Sequence, residues 1–326
     1  MANDLFVELQ EKLEGKKVRI VFPEAYDERV LEAAVKLSAT SYVQPVLVGK
    51  RERVEELAQP LFLNVSGIEF VDHENYEKYD EMVAKFVERR AGKVTEEKAR
   101  ELLQDVNYFG TMLVYMGEVE GLVSGAIHST GDTVRPALQI IKTKPGVSRT
   151  SGAFIMSRNA SRFIFADCAI NTTIDAQGLA EIAVESAKTA KAFNINPKVA
   201  MLSFSTYGSA KTEETLKVAE ATKLVREKAP TLPVGGEMQF DAAYVPPVAK
   251  LKAPNSEIQG DANVFIFPSL EAGNIGYKIA ERLGGFEAVG PILQGLNAPV
   301  NDLSRGCSSI DVLKLALITA VQALEK

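Results

Sequence analysis

A serine, an arginine, a glycine, a cysteine and two acids crowd the stretch PVNDLSRGCSSID, residues 299–311, and an apolar helical run, VLKLALITAVQAL, follows at once. In such a loop Arg305 can fork two hydrogen bonds onto a phosphate or a carboxylate. Gly306 lets the chain turn without a Cβ clash, and Ser304 sets a hydroxyl beside the cation. The plainer alternative is a helix start. Ser308–x–x–Asp311 matches a capping box with an acid in the first turn, where the helix dipole favours it, and a neighbouring acid would tie down the loop at Ser304 and Arg305. Spacing alone does not choose between them.

A second loop, SGAIHSTGDTVRPAL (124–138), offers Ser129, Thr130 and Gly131, with Asp132 or Thr133 as the cap of a helix over 133–141. Pro136 suits only a first helical turn, where its missing N–H would be unpaired anyway. Free N–H groups at such a terminus bind anions. Arg135 in that turn would run against the dipole, a mismatch that a bound phosphate would repair. The alternative is ordinary capping with a solvated arginine. His128 reads as a hydrogen-bonded scaffold residue and His73 as solvated. SFSTYGSA (203–210) reads as a plain loop between strand and helix, although its hydroxyls could line a ligand. FADCAIN (165–171) puts Asp167 and Asn171 at a strand's end, with Cys168 as a small buried hydrophobe. The patterns G-x-S-x-G, H-E-x-x-H, C-x-x-C, G-x-G-x-x-G and the Walker lysine are all missing. Hydrolase, metal and nucleotide chemistry therefore have no fingerprint.

Such loops need strands and helices to hold them. The apolar runs KVRIVFP (17–23), VQPVLVG (43–49), IEFVD (68–72) and EGLVSGA (120–126) read as strands, with DERVLEAAVKLS (27–38) as a helix and two or three more helices across 76–116. A second series follows: strands at 151–157, 162–168, 198–206, 233–239, 263–269 and 288–295, with helices at 176–193, 212–229 and 271–284. Strands alternating with helices imply βαβ units and mostly parallel sheets covered on both faces, with ligands at the carboxyl ends of strands. The polar KTKPGVSRTSG (142–152) is the expected crossover between domains. A net charge of −6 over 326 residues gives no basic face for nucleic acid. Two cysteines cannot build a disulfide framework, no run is long and apolar enough for a membrane, and the N-terminal MANDLFVELQEKLEGKK has no signal-peptide core. A cytoplasmic location is expected.

The blocks FPEAYDERVLEAA (22–34), EGLVSGAIHSTGDTVRPALQI (120–140), SGAFIM (151–156), FADCAIN (165–171), MLSFSTYGSA (201–210), GEMQFDAA (236–243), FPSLEAGNIGYKIAERLGG (267–285) and GLNAPVNDLSRGCS (295–308) together resemble the phosphate acetyltransferase family almost end to end, in its short form. The resemblance implies reversible acetyl transfer between acetyl phosphate and coenzyme A with release of phosphate. Coenzyme A is then a substrate, and no cofactor is held tightly. It implies two α/β domains with the active cleft between them, usually as a homodimer. The first domain is 1–143 completed by 291–326, and the second is 144–290. It puts the family's catalytic serine, arginine and aspartate on Ser304, Arg305 and Asp311, as oxyanion donor, phosphate cation and base for the thiol. An aspartate at its ordinary pKa is a weak base for a thiol near ~8.5, so Asp311 must be partly buried or act by orienting the thiol. Two further family arginines, tied to coenzyme A and phosphate, fall on Arg135 and on Arg89 with Arg90 as its rival, and the loop before Arg135 adds Ser129 and Thr130 as candidate binding residues. Direct attack by the thiolate needs no acyl-enzyme, which leaves Cys168 and Cys307 as bystanders. The competing readings are a phosphate butyryltransferase, an isopropylmalate-type dehydrogenase and an acetyl-CoA sensing module.

Overall fold

The computed structural model describes residues 5–325, which fall into two compact units: Pro145–Gly295, and the residues up to Lys144 together with those from Leu296 onward. The first four residues of the polar N-terminal stretch lie outside the described residues.

The discontinuous unit begins with helix α1 (Leu5–Leu13), which buries Leu5, Leu9 and Leu13 along one stripe. Strand β1 (Val18–Phe22), helix α2 (Glu28–Ser38), strand β2 (Val43–Val48), helix α3 (Arg51–Ala58) and strand β3 (Glu69–Val71) follow. Asp27 caps α2 by accepting from the N–H groups of Arg29 and Val30, and Val30, Leu31, Ala33, Ala34 and Leu37 form its buried face. Helices α4 (Tyr79–Arg90), α5 (Glu96–Leu102) and α6 (Val106–Tyr115) precede strand β4 (Gly121–Ser124) and helix α7 (Thr130–Pro136).

Helix α7 differs from the expected helix over 133–141. It starts at Thr130, and its cap is Ser129 rather than Asp132 or Thr133. Pro136 is its last residue, not a first-turn residue. With no N–H the proline cannot continue the helical ladder, and Ala137–Ile141 form one π-turn closed by the N–H of Lys142 on the carbonyl of Ala137, 2.9 Å. Arg135 therefore lies in the last turn of α7, where a cation suits the dipole. The mismatch expected there does not exist.

The continuous unit holds strands β5 (Ser151–Arg158) and β6 (Ser161–Ala166), helix α8 (Ala176–Ala192), strand β7 (Val199–Leu202), helix α9 (Glu213–Lys228) and strand β8 (Val234–Met238). Helices α10 (Phe240–Tyr244) and α11 (Pro246–Lys252), strand β9 (Val264–Ile266), helix α12 (Leu270–Arg282) and strand β10 (Glu287–Gln294) complete it. Its sheet runs β10-β5-β6-β9-β7-β8, antiparallel in the first two pairings and parallel in the rest. Phe193 and Phe265 are fully buried in this unit.

The chain then returns to the first unit through strand β11 (Val300–Asp302) and helix α13 (Ser309–Leu324), which packs on α1, α2, β1 and β4. The resulting sheet, β11-β4-β1-β2-β3, is parallel throughout. Its order reverses between β1 and β4: the chain runs outward through β2 and β3, then resumes on the other side of β1. Open parallel sheets bind ligands beyond the carboxyl ends of strands at such a reversal. The fold is thus two mostly parallel sheets flanked by helices.

Candidate active site

Three loops leave the carboxyl ends of β1, β4 and β11 side by side. The first carries Glu24, only 3% exposed. Its carboxylate accepts the N–H groups of Gly125 and Ala126 on one oxygen and of Ile127 and His128 on the other, at 2.8–3.0 Å. The His128 ring meets it through Nδ1 at 2.7 Å, which gives that histidine the expected scaffold role. These N–H groups would otherwise make an anion nest; here an internal carboxylate fills it. The N–H of Ser129 and of Asp132 are taken by a capping box. The first two helical N–H groups, Thr130 and Gly131, have no intrahelical acceptor.

Arg29 ties the three loops together. Its guanidinium donates through Nη1 to the carbonyls of Arg305 (2.8 Å) and Cys307 (3.0 Å), and through Nη2 to the carbonyl of Ala126 (2.8 Å) and to Asp27 (2.7 Å). The 304–307 loop is therefore held by its backbone, not by an acid on its arginine. Ser304, Arg305 and Gly306 are exposed, and among the described residues the Arg305 guanidinium has no carboxylate partner. A Cβ at Gly306 would meet only Ser304 Oγ, at 3.8 Å, so the expected steric need for glycine there is not found. The close approach is instead at Gly125 (φ +111°), whose missing Cβ would collide with the Asp302 carboxylate and the backbone of Leu303.

Asp302 ends β11, two residues before Ser304, and is 1% exposed. Its Oδ2 accepts the Thr130 hydroxyl at 2.6 Å. Its Oδ1 and the buried Thr133 hydroxyl have no hydrogen-bond partner, although Thr133 lies close enough to favour the charged carboxyl. Burial pushes the Asp302 carboxyl up to about 6; the two threonines pull it down and the Glu24 charge adds to the rise.

The other expected site residues divide into two groups. Arg135 is exposed on α7, with Asp132 3.9 Å away. Asp311 is at the third position of α13 and forms the capping box in full: its Oδ2 accepts from the N–H and the hydroxyl of Ser308, 2.8 Å each. It is exposed, so the burial that base work would ask of it is missing, and Oδ1 is left open. Arg89 and Arg90 both point at the π-turn. Arg89 donates to the carbonyls of Ile140 (2.5 Å) and Ile141 (2.8 Å), and Arg90 to that of Gln139 (3.2 Å). Ser129, Thr130, Ser304 and Arg305 come together at the loop cluster; Arg89 and Arg90 anchor the far end of the α7 segment.

Several residues differ from expectation or were missed. His73 is not simply solvated: its Nδ1 is buried and its ring stands edge-on to Phe109 at 6.0 Å. Cys168 and Cys307 are buried, and burial pushes both thiols up. Asp167 is an internal staple that accepts the N–H groups of Gly152, Ala169, Ile170 and Asn171. Glu24, Arg29 and Asp302 were not singled out from sequence. The available signal was an ionisable residue at the end of an apolar run, as in VRIVFPE and PVND.

A family model described as phosphate acetyl/butaryl transferase matches residues 4–320. A phosphate acetyltransferase of Bacillus subtilis is 64% identical over 98% of this chain and 99% of its own length. Among solved structures, a phosphotransacetylase from Staphylococcus aureus is 64% identical with a TM-score of 0.94, covering 98% of each chain. One from Streptococcus pyogenes is 56% identical with a TM-score of 0.96, covering 99% of this chain and 98% of that one. The match sets aside a dehydrogenase, and the chain belongs to the phosphate acetyl/butaryl transferase family.

Proposed function

We propose that this chain catalyses reversible acetyl transfer between acetyl phosphate and coenzyme A, by direct attack of the thiolate within a ternary complex. The observation that carries this reading is the loop cluster at the reversal of the parallel sheet. Arg29 and Glu24 fix the backbone there, leaving Ser304 and Arg305 exposed on a rigid base. Acyl transfer from a phosphate needs a donor for the developing oxyanion and a cation for the leaving group. Ser304 supplies the first. The planar fork of Arg305 supplies the second, with Arg135, Ser129 and Thr130 completing the phosphate and coenzyme A contacts. Asp311, exposed and half engaged in its capping box, orients the thiol through Oδ1. Coenzyme A is a substrate in this scheme, and no tightly held cofactor takes part.

The two units act as two domains, the first completed by the C-terminal segment, and the working form is a cytoplasmic homodimer. No described helix is long and apolar enough to cross a membrane, and Ile275, Ile279 and Leu283 leave an exposed apolar row on and just after α12. Mixing the protein with coenzyme A and either acetyl or butyryl phosphate, and following thioester absorbance, tests the activity. Faster turnover of the butyryl substrate would move the chain to the longer-chain branch of the family, and no thioester from either would overturn the reading.

A further inference from the structure

Ser304, Arg305 and Asp311 need a common frame, and it comes from outside their own loop. All three are exposed, Asp311 at the third position of α13. The turn that joins them is fastened by one side chain 276 to 278 positions away in sequence. Arg29 uses all five of its N–H donors. Nε and one hydrogen of Nη2 go to the two oxygens of Asp27, the other Nη2 hydrogen to the carbonyl of Ala126, and Nη1 to the carbonyls of Arg305 and Cys307, all at 2.7–3.0 Å.

A trans peptide is planar and points its carbonyl and the next residue's N–H in opposite directions, and none of the peptides held by Arg29 is cis. Each contact therefore also aims an N–H on the far side. Holding the Arg305 carbonyl turns the Gly306 N–H toward Ser304, whose Oγ accepts it at 3.3 Å. Holding the Cys307 carbonyl turns the Ser308 N–H toward Asp311, whose Oδ2 accepts it at 2.8 Å. Holding the Ala126 carbonyl turns the Ile127 N–H onto Glu24 at 2.9 Å. A serine oxygen that accepts an N–H keeps its own proton for an outside acceptor, and an aspartate occupied on Oδ2 presents Oδ1. Those are the states that an oxyanion donor and a carboxylate facing a thiol require.

We propose that Arg29 is a positioning residue for the reaction: through two peptide units it sets the Ser304 hydroxyl, the Arg305 backbone and the Asp311 carboxylate as one group, without touching substrate itself. The inference rests on the acetyl-transfer reading above. Asp27 completes the arrangement. Its side chain is 11% exposed; burial alone would raise its carboxyl, but the Arg29 guanidinium beside it holds it below its ordinary value, so the pair stays charged. Lysine cannot replace Arg29, because an ammonium puts its donors on one point, whereas the guanidinium fork spans acceptors in three loops.

The test is thioester formation by wild type, Arg29→Ala, Arg29→Lys and the Arg29→Ala/Asp311→Asn double variant, each in low, non-denaturing guanidinium chloride and in sodium chloride at equal ionic strength. Arg29→Ala should lower kcat about 10²-fold, the scale of misplacing catalytic groups by about an ångström, while KM for either substrate moves far less. The Arg29 side chain is 31% exposed, so free guanidinium can enter the space it leaves. It should recover about tenfold of the lost kcat. Guanidinium weakens folding, so a purely structural loss would deepen in it, and the expected recovery has the opposite sign. Arg29→Lys should stay close to Arg29→Ala in kcat while melting near wild type. Because Arg29 acts through Asp311, the double variant should lose less than the product of the two single losses. Absence of thioester with wild type would overturn both this inference and the acetyl-transfer reading. Should Arg29→Ala not fold, a lowered kcat with unchanged KM in Arg29→Lys upholds the role. An active wild type with either single variant near it in kcat, or an Arg29→Ala loss that guanidinium fails to lift, would overturn the positioning role alone.

Discussion

The two roles open to Asp311, base and orienter of the thiol, can be separated by substitution. Asn is also a helix-start residue, so Asp311→Asn should keep the cap on Ser308 in part and hold the melting temperature within a degree or two. If Asp311 only orients the thiol, turnover should fall about tenfold; a loss nearer 10²–10⁴ would make it the base. Ser304→Ala should cut turnover about 10²–10³-fold, more than it weakens substrate binding, as expected when a donor acts on developing charge. Mass spectrometry of the wild type after acetyl phosphate alone should show no acetyl adduct; a stoichiometric acetyl-serine at 304 would refute direct transfer. Asp302 makes a different prediction, about stability. Its folded pKa of about 6 lies above the ordinary 3.8 because burial disfavours the charge. The folded chain then binds the proton more tightly than the unfolded one, so this contribution is complete below about pH 4 and is lost as pH rises through 6. Asp302→Asn should melt higher than wild type at pH 7.5, by up to ~3 kcal/mol, and the gap should close toward pH 4.5. The sequence made Ser304 and Arg305 visible because they lie together. Glu24, Arg29 and Asp302 stayed hidden because their partners lie roughly one hundred to nearly three hundred positions away.

At the scale of elements, most boundaries were legible where a cap and a hydrophobic period agree, as at Asp27 for α2 or Ser308 for α13. The α7 segment was misread because proline was assigned to the beginning of a helix, when here it terminates one and starts a π-turn. Strand β11 looked like loop: three residues between a proline and a polar turn carry no period, and only pairing with β4 makes them a strand. The π-turn also gives Arg89 a structural role. Its Nε and Nη2 satisfy two carbonyls that the irregular turn leaves open, and its guanidinium lies over the Tyr115 ring at 5.0 Å. Arg89→Met should therefore lower stability by about 1–3 kcal/mol, the cost of buried carbonyls losing a charged donor, with a secondary rise in KM for coenzyme A as α7 loosens. A large rise in KM with an unchanged denaturation midpoint would instead make Arg89 a direct ligand.

At the scale of the molecule, alternating strands and helices announced two parallel α/β layers, but not the order β11-β4-β1-β2-β3. Strand order depends on which helix covers which face, and α13 closes the first sheet from the far end of the chain. That order sets the loop that carries Arg305 beside the loop that leads into α7, in a protein whose net charge is −6. The overall charge repels anions, so affinity for phosphate would have to come from local cations; Arg135 and Arg305 are both exposed, and the carboxylate near Arg135 is Asp132 at 3.9 Å. A ligand that binds only the folded state stabilises it by about 2.7 kcal/mol at a concentration one hundred times its Kd. Inorganic phosphate should then raise the melting temperature by several degrees over sodium chloride at matched ionic strength, which removes general screening as the cause. The increment should shrink in Arg135→Ala and in Arg305→Ala, and disappear when both are replaced. A phosphate shift of the same size in wild type and in both single variants would place the anion elsewhere, and would take away from Arg305 the leaving-group role on which the acetyl-transfer scheme depends.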